Sequence, residues 1–178
     1  MHNANICHRD INLVNILLAE NYNPKLYNFR WSSINANNLN GRAGTSEYMA
    51  PEIIENHPYD GFKADIFSLG QLLFNLVNKI YGFKSSSAND QYYSLIRNNH
   101  FNEYWNSGVF HNINPSNDFK SLFIKMVTYD PLQRPTIDDI LNDQWMQEIN
   151  NLNNDELNAL EHELRNELNI REHEFKKY

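Results

Sequence analysis

The chain has 178 residues, of which 41% are hydrophobic and 13% aromatic. This composition is typical of a globular domain with a buried core and not of a disordered segment. The net charge of −7 argues against nucleic acid or an anionic membrane surface as the main partner. No apolar run approaches the roughly 18 residues that a membrane-spanning helix needs, so no membrane segment is predicted.

The cysteine content bears on where the protein works. Cys7 is the single cysteine, which excludes an internal disulfide and suits a reducing compartment. The first residues show no basic stretch followed by an apolar run, so no secretory signal peptide is predicted there. We therefore expect the cytoplasm or the nucleus.

The first predicted elements are two short strands. Ile16–Leu18 is apolar and is predicted to be a buried strand, followed by a turn over residues 21–24 and a hairpin partner over 25–27. Residues 32–42 are polar, rich in asparagine and without periodicity, which predicts a long loop. Loops of that length inside a compact domain are usually functional.

Helical periodicity begins at Lys63. Apolar residues then recur three and four positions apart and predict a long helix with a broad apolar face, formed by Ile66, Leu69, Leu72, Leu73, Leu76 and Ile80. Shorter helices are predicted over residues 92–98, 119–128 and 137–146. Thr136, with Asp139 three residues later, is the expected N-cap of the last of these.

The end of the chain is acidic. From Glu148 to Tyr178, eight acidic residues stand against four basic ones, so this segment carries −4 of the net charge. Asn153 and Glu156 form a capping signal ahead of leucines at 157, 160, 164 and 168. The leucine stripe is too short for a sustained coiled coil, so we predict an acidic helical tail, residues 147–178, that packs on its own domain.

Four motifs follow one another along the chain. Residues 7–18 read CHRDINLVNILL, residues 44–52 GTSEYMAPE, residues 65–70 DIFSLG and residues 130–135 DPLQRP. The first resembles the H-R-D-L-x-x-x-N catalytic loop of protein kinases and the second resembles the end of their activation segment. The third resembles the start of the large central helix of the kinase C-lobe, and the fourth is similar to the late D-P-x-x-R-P turn. Residues 7 to about 146 therefore resemble the C-terminal lobe of a eukaryotic Ser/Thr protein kinase.

The resemblance implies roles for three residues near the start. Asp10 matches the residue that orients the substrate hydroxyl and accepts its proton. Asn15 matches a magnesium ligand, so the implied cofactor is Mg–ATP and the implied substrate is a protein. Leu17 matches a side chain that packs beneath the adenine ring. Its own apolar surroundings are also typical of a core leucine, which is our interpretation for a chain without an N-lobe.

Three further residues match structural positions of the family. The resemblance implies that Glu52 and Arg134 form a partly buried ion pair that pins the activation segment to the lobe. It also implies that the Asp65 carboxylate accepts backbone N–H groups of the catalytic loop. An inactive relative needs these contacts as much as an active one.

Other positions depart from the family pattern. Asn12 stands where Ser/Thr kinases carry a lysine that neutralises charge on the transferring phosphoryl group. The match to the D-F-G metal motif is Asn28-Phe29-Arg30, so a neutral amide replaces the aspartate and an arginine replaces the glycine. Phosphoryl transfer relies on positioning and electrostatic stabilisation, so we expect these losses to cost on the order of several kcal/mol in the barrier, or thousands-fold in rate.

The expected partner of Arg9, the residue before Asp10, is also missing from the sequence. The counterpart of Arg9 in active kinases often pairs with a phosphate on the activation segment. Residues 34–43 contain no Ser, Thr or Tyr, so the usual position of that phosphate is empty. Thr45 is expected to hydrogen-bond the catalytic loop instead of carrying a regulatory phosphate.

The upstream half of a kinase is not expected in this chain. About seven residues precede His8, too few for a glycine-rich loop or the V-A-I-K lysine. The predicted fold class is therefore mainly α, a kinase-like C-lobe over residues 1–146 lacking the N-lobe β-sheet, followed by the tail.

Three hypotheses for function remain open. The chain is a degenerate, pseudokinase-like domain that acts by binding proteins, a fragment of an active Ser/Thr kinase, or a truncated product without function. Asn12, Asn28 and Arg30 favour the first hypothesis, whereas Asp10 and Asn15 are compatible with the second.

Overall fold

The computed structural model describes residues 1–19, 22–150, 153, 155–160, 162–163 and 165–166. This part of the chain is mainly helical, as predicted. Its helices are α1 Pro51–Ile54, α2 Gly61–Asn78, α3 Tyr93–Arg97, α4 Phe101–Asn106, α5 Asn117–Met126, α6 Ile137–Leu141 and α7 Gln144–Asn150. Short 3-10 helices lie at His2–Ala4, Leu13–Asn15, Phe29–Trp31, Ser46–Tyr48, Gly108–Asn112 and Pro131–Gln133.

The described strands form two small antiparallel sheets. Strand β1 (Ile6–Cys7) pairs with β4 (Ser33–Ile34), and β2 (Ile16–Leu18) pairs with β3 (Pro24–Leu26). The β2–β3 hairpin was predicted within one residue, whereas the two-residue β1–β4 pair was not. The two sheets flank residues 8–15, which we call the catalytic-loop segment.

Helix α2 is the central element of the lobe. The Asp60 carboxylate caps its start by accepting the N–H groups of Phe62 and Lys63 at 2.7 and 3.3 Å, and Lys79 ends it in a left-handed conformation. The helix is therefore shorter at its C-terminal end than the periodicity predicts. Leu76 is 53% exposed, so the apolar face is also narrower than predicted.

Aromatic side chains from α2, from the loop that follows it and from the later helices form the core. They include Phe67, Phe74, Phe83, Tyr93, Tyr104, Phe110, Phe119 and Phe123, all buried. Helix α2 approaches α5 closely at Gly70, where a Cβ atom would lie 2.8 Å from both Met126 Cβ and Val127 Cγ1. Only glycine fits at that distance, so Gly70 sets how closely the two helices pack.

Two other predictions for the helical part needed correction. The helix predicted over 137–146 is two helices, α6 and α7, separated at Asn142 and Asp143, although the capping box of Thr136 and Asp139 is present as predicted. The short helices α1 and α4 were missed, because four to six residues carry too little periodicity to detect.

The tail is described only in part. Asn153 accepts the N–H groups of Asp155 and Glu156 at 3.0 Å and donates its own N–H to the Glu156 carboxylate at 2.8 Å, which is the predicted cap. Leu157 and Leu160 are 46% and 52% exposed, so the predicted packing is wrong at these two positions. The leucines at 164 and 168 lie outside the described residues.

The asparagine content, about one residue in six, has a backbone role. Most of the described non-glycine residues with positive φ are asparagines, namely Asn5, Asn28, Asn35, Asn38, Asn56 and Asn99. Asparagine tolerates the left-handed conformation better than most residues. These asparagines therefore occupy turn positions where other chains often carry glycine.

A buried ion pair joins α1 to the turn before α6. The Arg134 guanidinium donates to both Glu52 carboxylate oxygens at 2.7 Å, and its side chain is fully buried. Its other N–H groups donate to the carbonyls of Thr128, Lys63 and Tyr129 at 3.0, 3.0 and 3.3 Å. The pair implied by the resemblance is present, with every guanidinium N–H engaged.

Breaking this pair should destabilise the lobe. We expect Glu52→Gln to lower the free energy of unfolding by about 3–5 kcal/mol, because it leaves the Arg134 charge buried without its counter-ion. Urea denaturation measures the loss.

The exposed pair between Lys125 and Asp143 supplies the control, since the Lys125 side chain is 53% exposed. Lys125→Gln should change the same free energy by less than about 1 kcal/mol. Equal effects of the two substitutions would contradict the importance assigned to the buried pair.

Candidate functional site

The catalytic-loop segment is held in place from helix α2. The Asp65 carboxylate, 1% exposed, accepts the backbone N–H groups of His8 and Arg9, each at 2.7 Å. His2 Nε2 lies 3.0 Å from the same carboxylate. The contact implied for Asp65 is therefore present, and it fixes the backbone immediately before Asp10.

His8 connects the catalytic-loop segment to the following hairpin. Its ring is fully buried, with Nε2 3.0 Å from the Tyr27 carbonyl and Nδ1 accepting the Asp10 N–H at 3.3 Å. This pairing assigns the proton to Nε2. The same ring makes an edge contact with Phe29 at 4.9 Å, which brings the Asn28–Arg30 turn next to the loop.

The Asp10 carboxylate is surrounded by neutral donors. Its Oδ1 accepts from the Thr45 hydroxyl and the Asn12 amide, both at 2.8 Å, and its Oδ2 accepts from the Asn15 amide at 2.9 Å. The Asn12 amide also donates to the Thr45 oxygen at 3.0 Å. The structure thus brings together Asp10, Asn12 and Asn15, with Thr45 bonded to the loop as expected.

Asn12 folds back into the loop. Its Oδ1 accepts the Asn15 N–H at 3.1 Å, which caps the 3-10 helix Leu13–Asn15, and the residue is only 3% exposed. A lysine extended from this position would carry its charge away from the backbone. The asparagine instead uses both ends of its amide inside the loop.

Asn28 also lies next to Asn15. Its amide nitrogen donates to Asn15 Oδ1 at 3.1 Å, and its backbone is left-handed with a φ of 64°. The Arg30 guanidinium lies over the Trp31 ring, 5.7 Å from its centroid. The contact of this cation is thus with the neighbouring aromatic ring.

These residues do not fit a magnesium ion. Magnesium prefers carboxylate oxygens and near-ideal octahedral geometry. At this site Asp10 is the sole carboxylate among Asp10, Asn15 and Asn28, and both its oxygens accept hydrogen bonds. Within the described residues, no group of three or more His, Cys, Asp or Glu side chains is placed to hold a metal ion.

Leu17 is not a core residue. It is 52% exposed on β2, so our interpretation of a buried leucine is wrong. The hairpin packs through Ile16 and Leu26 against the small cluster of Ile11, Tyr48 and Leu72. Successive strand residues point to opposite faces, so Leu17 faces away from that cluster.

A cavity of about 380 Å³ opens beside the Asp10 carboxylate. Its lining comprises Asp10, Asn12, Leu13, Val14, Asn15, Thr45, Glu47, Tyr48 and Tyr81. Burial raises the pKa of Tyr48, while the Ser46 hydroxyl lowers the pKa of Glu47 by donating to its carboxylate. The cavity thus presents the carboxylates of Asp10 and Glu47 and the neutral phenol of Tyr48. Tyr81 also lines the cavity, which the sequence did not reveal.

The approach of Gly44 to the catalytic-loop segment can be tested. Gly44 has a φ of 97°, and a Cβ there would overlap the Arg9 carbonyl oxygen. Gly44→Ala should therefore lower the free energy of unfolding by roughly 2–5 kcal/mol, through backbone strain and overpacking together. Urea denaturation measures this change.

Gly41 provides the matched control, because its φ is 78° but no atom lies within 4 Å of the position that a Cβ would take. Gly41→Ala should cost only the backbone strain, about 1–2 kcal/mol. If both substitutions cost the same, Gly44 does not set the distance to the loop.

Comparison with known proteins agrees with this geometry. A family profile described as the protein kinase domain matches residues 1–146. The chain is 35% identical over 148 residues to the serine/threonine-protein kinase kin-29 of Caenorhabditis briggsae, covering 82% of this chain and 17% of that protein. It is 32% identical over 148 residues to the Aurora kinase of Saccharomyces cerevisiae, covering 82% of this chain and 38% of that protein.

The chain therefore spans under a fifth of the first of these relatives and under two fifths of the second. The match extends over most of this chain and includes all four motifs. It also includes Asp65 and Arg134, whose contacts are described above. The chain belongs to the protein kinase family.

Proposed function

We propose that this chain is a pseudokinase-like domain of Ser/Thr kinase ancestry that binds other proteins and does not transfer phosphate. The observation that carries the proposal is the hydrogen bonding of Asp10. Its carboxylate accepts three hydrogen bonds from neutral groups, on Asn12, Asn15 and Thr45. All three partners are neutral, so none of them supplies the positive charge that would stabilise a transferring phosphoryl group beside Asp10.

The amide pair at the metal position supports the same conclusion. The Asn28 side chain turns an N–H donor, and not a ligand oxygen, toward Asn15 Oδ1, to which it donates at 3.1 Å. Position 28 also has no carboxylate to hold the magnesium ion that would offset the repulsion between the phosphates of ATP. Magnesium–ATP is the cofactor of the family in general, and we propose that this chain does not use it.

The surface near the cavity supports protein binding. Val14, Leu13 and Tyr81 line the cavity and are 79%, 45% and 44% exposed. Large apolar side chains grouped around a cavity are typical of surfaces that recognise other proteins. We propose this surface, or the acidic tail of residues 147–178, as the binding region.

A second candidate is a fragment of an active Ser/Thr kinase. It is favoured by the Asp10–Thr45 bond and by Asp65, which together keep the catalytic-loop segment in an ordered shape. The relatives are much longer than this chain, which also suits this candidate.

The cellular location and other partners are also proposals. The single cysteine favours the cytoplasm or the nucleus, and the negative charge disfavours nucleic acid. Within the described ranges, every helix is too short or too polar to cross a bilayer.

Thermal unfolding with Mg–ATP tests whether this chain binds the nucleotide. A ligand present at 100 times its dissociation constant stabilises a protein by about 2.7 kcal/mol, which is roughly 5–10 °C for a domain of this size. We expect a shift below about 1 °C. A clear stabilisation that disappears with EDTA would contradict the proposed inactivity.

Restoring the changed residues gives a complementary test. In a fusion of this chain to the N-lobe of a kinase, Asn28→Asp combined with Asn12→Lys should raise phosphoryl transfer by at least about 100-fold, because a metal ligand and a cationic clamp return. A radiolabelled phosphate assay measures the rate. Asn102→Asp, an exposed change on α4, is the control and should leave the rate unchanged.

If the doubly restored fusion is no faster than the unaltered fusion, the substitutions at positions 12 and 28 are not the cause of inactivity. An unaltered fusion that already works at the rate of an ordinary kinase would support the second candidate.

A further inference from the structure

Arg9 has a partner inside the protein. Its Nε donates to the Tyr59 hydroxyl oxygen at 2.9 Å, and its guanidinium carbon lies 5.6 Å from the centroid of the same ring. The Arg9 backbone has a φ of 67°, an unusual conformation for a residue of its size. A costly conformation persists where its surroundings hold it, and here Asp65 holds the backbone while Tyr59 holds the side chain.

Tyr59 is in turn tied to the segment that follows the Asn28 turn. Leu39 and Tyr59 exchange both backbone hydrogen bonds, at 2.8 and 2.9 Å, and the Gly61 N–H donates to the Ala36 carbonyl at 2.8 Å. Ala36 is fully buried and Tyr59 is 4% exposed. The stretch 36–39 is therefore attached to residues 59–61 through main-chain bonds that need no charged group.

The tyrosine hydroxyl suits this contact. Burial raises the pKa of Tyr59, although Arg9 opposes the shift, so the phenol stays neutral at physiological pH. It accepts the Arg9 N–H as a neutral oxygen, so it adds no negative charge beside the guanidinium. Residues 34–43, which contain no Ser, Thr or Tyr, offer no hydroxyl that could be phosphorylated to compete for it.

We propose that Tyr59 is a positioning residue that holds residues 36–44 against the catalytic-loop segment without a phosphate. Contacts run from the 36–39 stretch to Tyr59, from Tyr59 to Arg9, and from Arg9 along the backbone to Asp10. The surface beside Asp10 is then preformed in the unmodified protein. This consequence for partner binding rests on the proposed function, whereas the contact and its effect on order do not.

Hydrogen exchange on the unphosphorylated protein, verified by its intact mass, tests the proposal. In the wild-type protein we expect slow exchange at the amides of Leu39, Tyr59 and Gly61. Tyr59→Phe removes one oxygen and keeps the ring, so the fold should persist. The loss of one hydrogen bond to a charged group should accelerate exchange in residues 36–44 by at least about tenfold, with helices α2 and α5 unchanged.

Tyr27→Phe is the matched control, because it removes a hydroxyl from a ring that is 40% exposed. It should leave exchange in residues 36–44 within about twofold of the wild-type rate. Arg9→Met should accelerate exchange as Tyr59→Phe does, and the double variant should exchange no faster than the quicker single variant, because both remove the same contact.

Fast exchange at Leu39, Tyr59 and Gly61 in the unphosphorylated wild-type protein would overturn the proposal. So would a Tyr59→Phe variant with wild-type exchange, or additive effects of the two single variants. These measurements use neither nucleotide nor partner protein, so their outcome is independent of the Mg–ATP experiment. A failure of the proposed binding function would leave the exchange results unaffected.

Discussion

Two backbone N–H groups of the catalytic-loop segment, those of His8 and Arg9, point at one buried carboxylate. A buried amide without an acceptor costs about 1–3 kcal/mol, so Asp65 determines whether this loop can be buried at all. Asp65 lies in the first turns of the long helix α2, whose other face packs into the aromatic core. The position of Asp10 is thus fixed by the longest helix of the described residues.

The sequence predicted the parts of the structure that depend on particular residue types. The motifs correctly predicted the ion pair of Glu52 with Arg134 and the backbone contacts of Asp65, because a buried charge needs a partner and the family pattern supplied it. The long helix α2 was predicted because eighteen residues carry several helical periods. Strand β1 and helix α4, of two and six residues, were missed because tertiary contacts and not local pattern hold them.

The candidate site was predicted less completely. Sequence reasoning identified the informative positions, namely Asp10, Asn12, Asn15 and Asn28. For Asn12 and Asn28 it predicted the loss of the charge that the family pattern has there, but not what their side chains contact. It could not show that the Asn12 amide folds back onto Asp10, because the direction of a side chain depends on the donors and acceptors around it. The exposure of Leu17 was likewise invisible, since an apolar run does not reveal which side of a short hairpin is packed.

The left-handed turn at Asn28 separates what folding requires of this residue from what metal binding requires of it. Aspartate and asparagine are both enriched in this backbone conformation, so an exchange between them leaves the turn nearly unstrained. The amide also gains a bond to Asn15 that a carboxylate could not donate. An exchange of aspartate for asparagine here is therefore expected to change the free energy of unfolding little, so it would not by itself expose the chain to the degradation that follows unfolding. Such a domain can persist in a cell at normal abundance and remain available for another task.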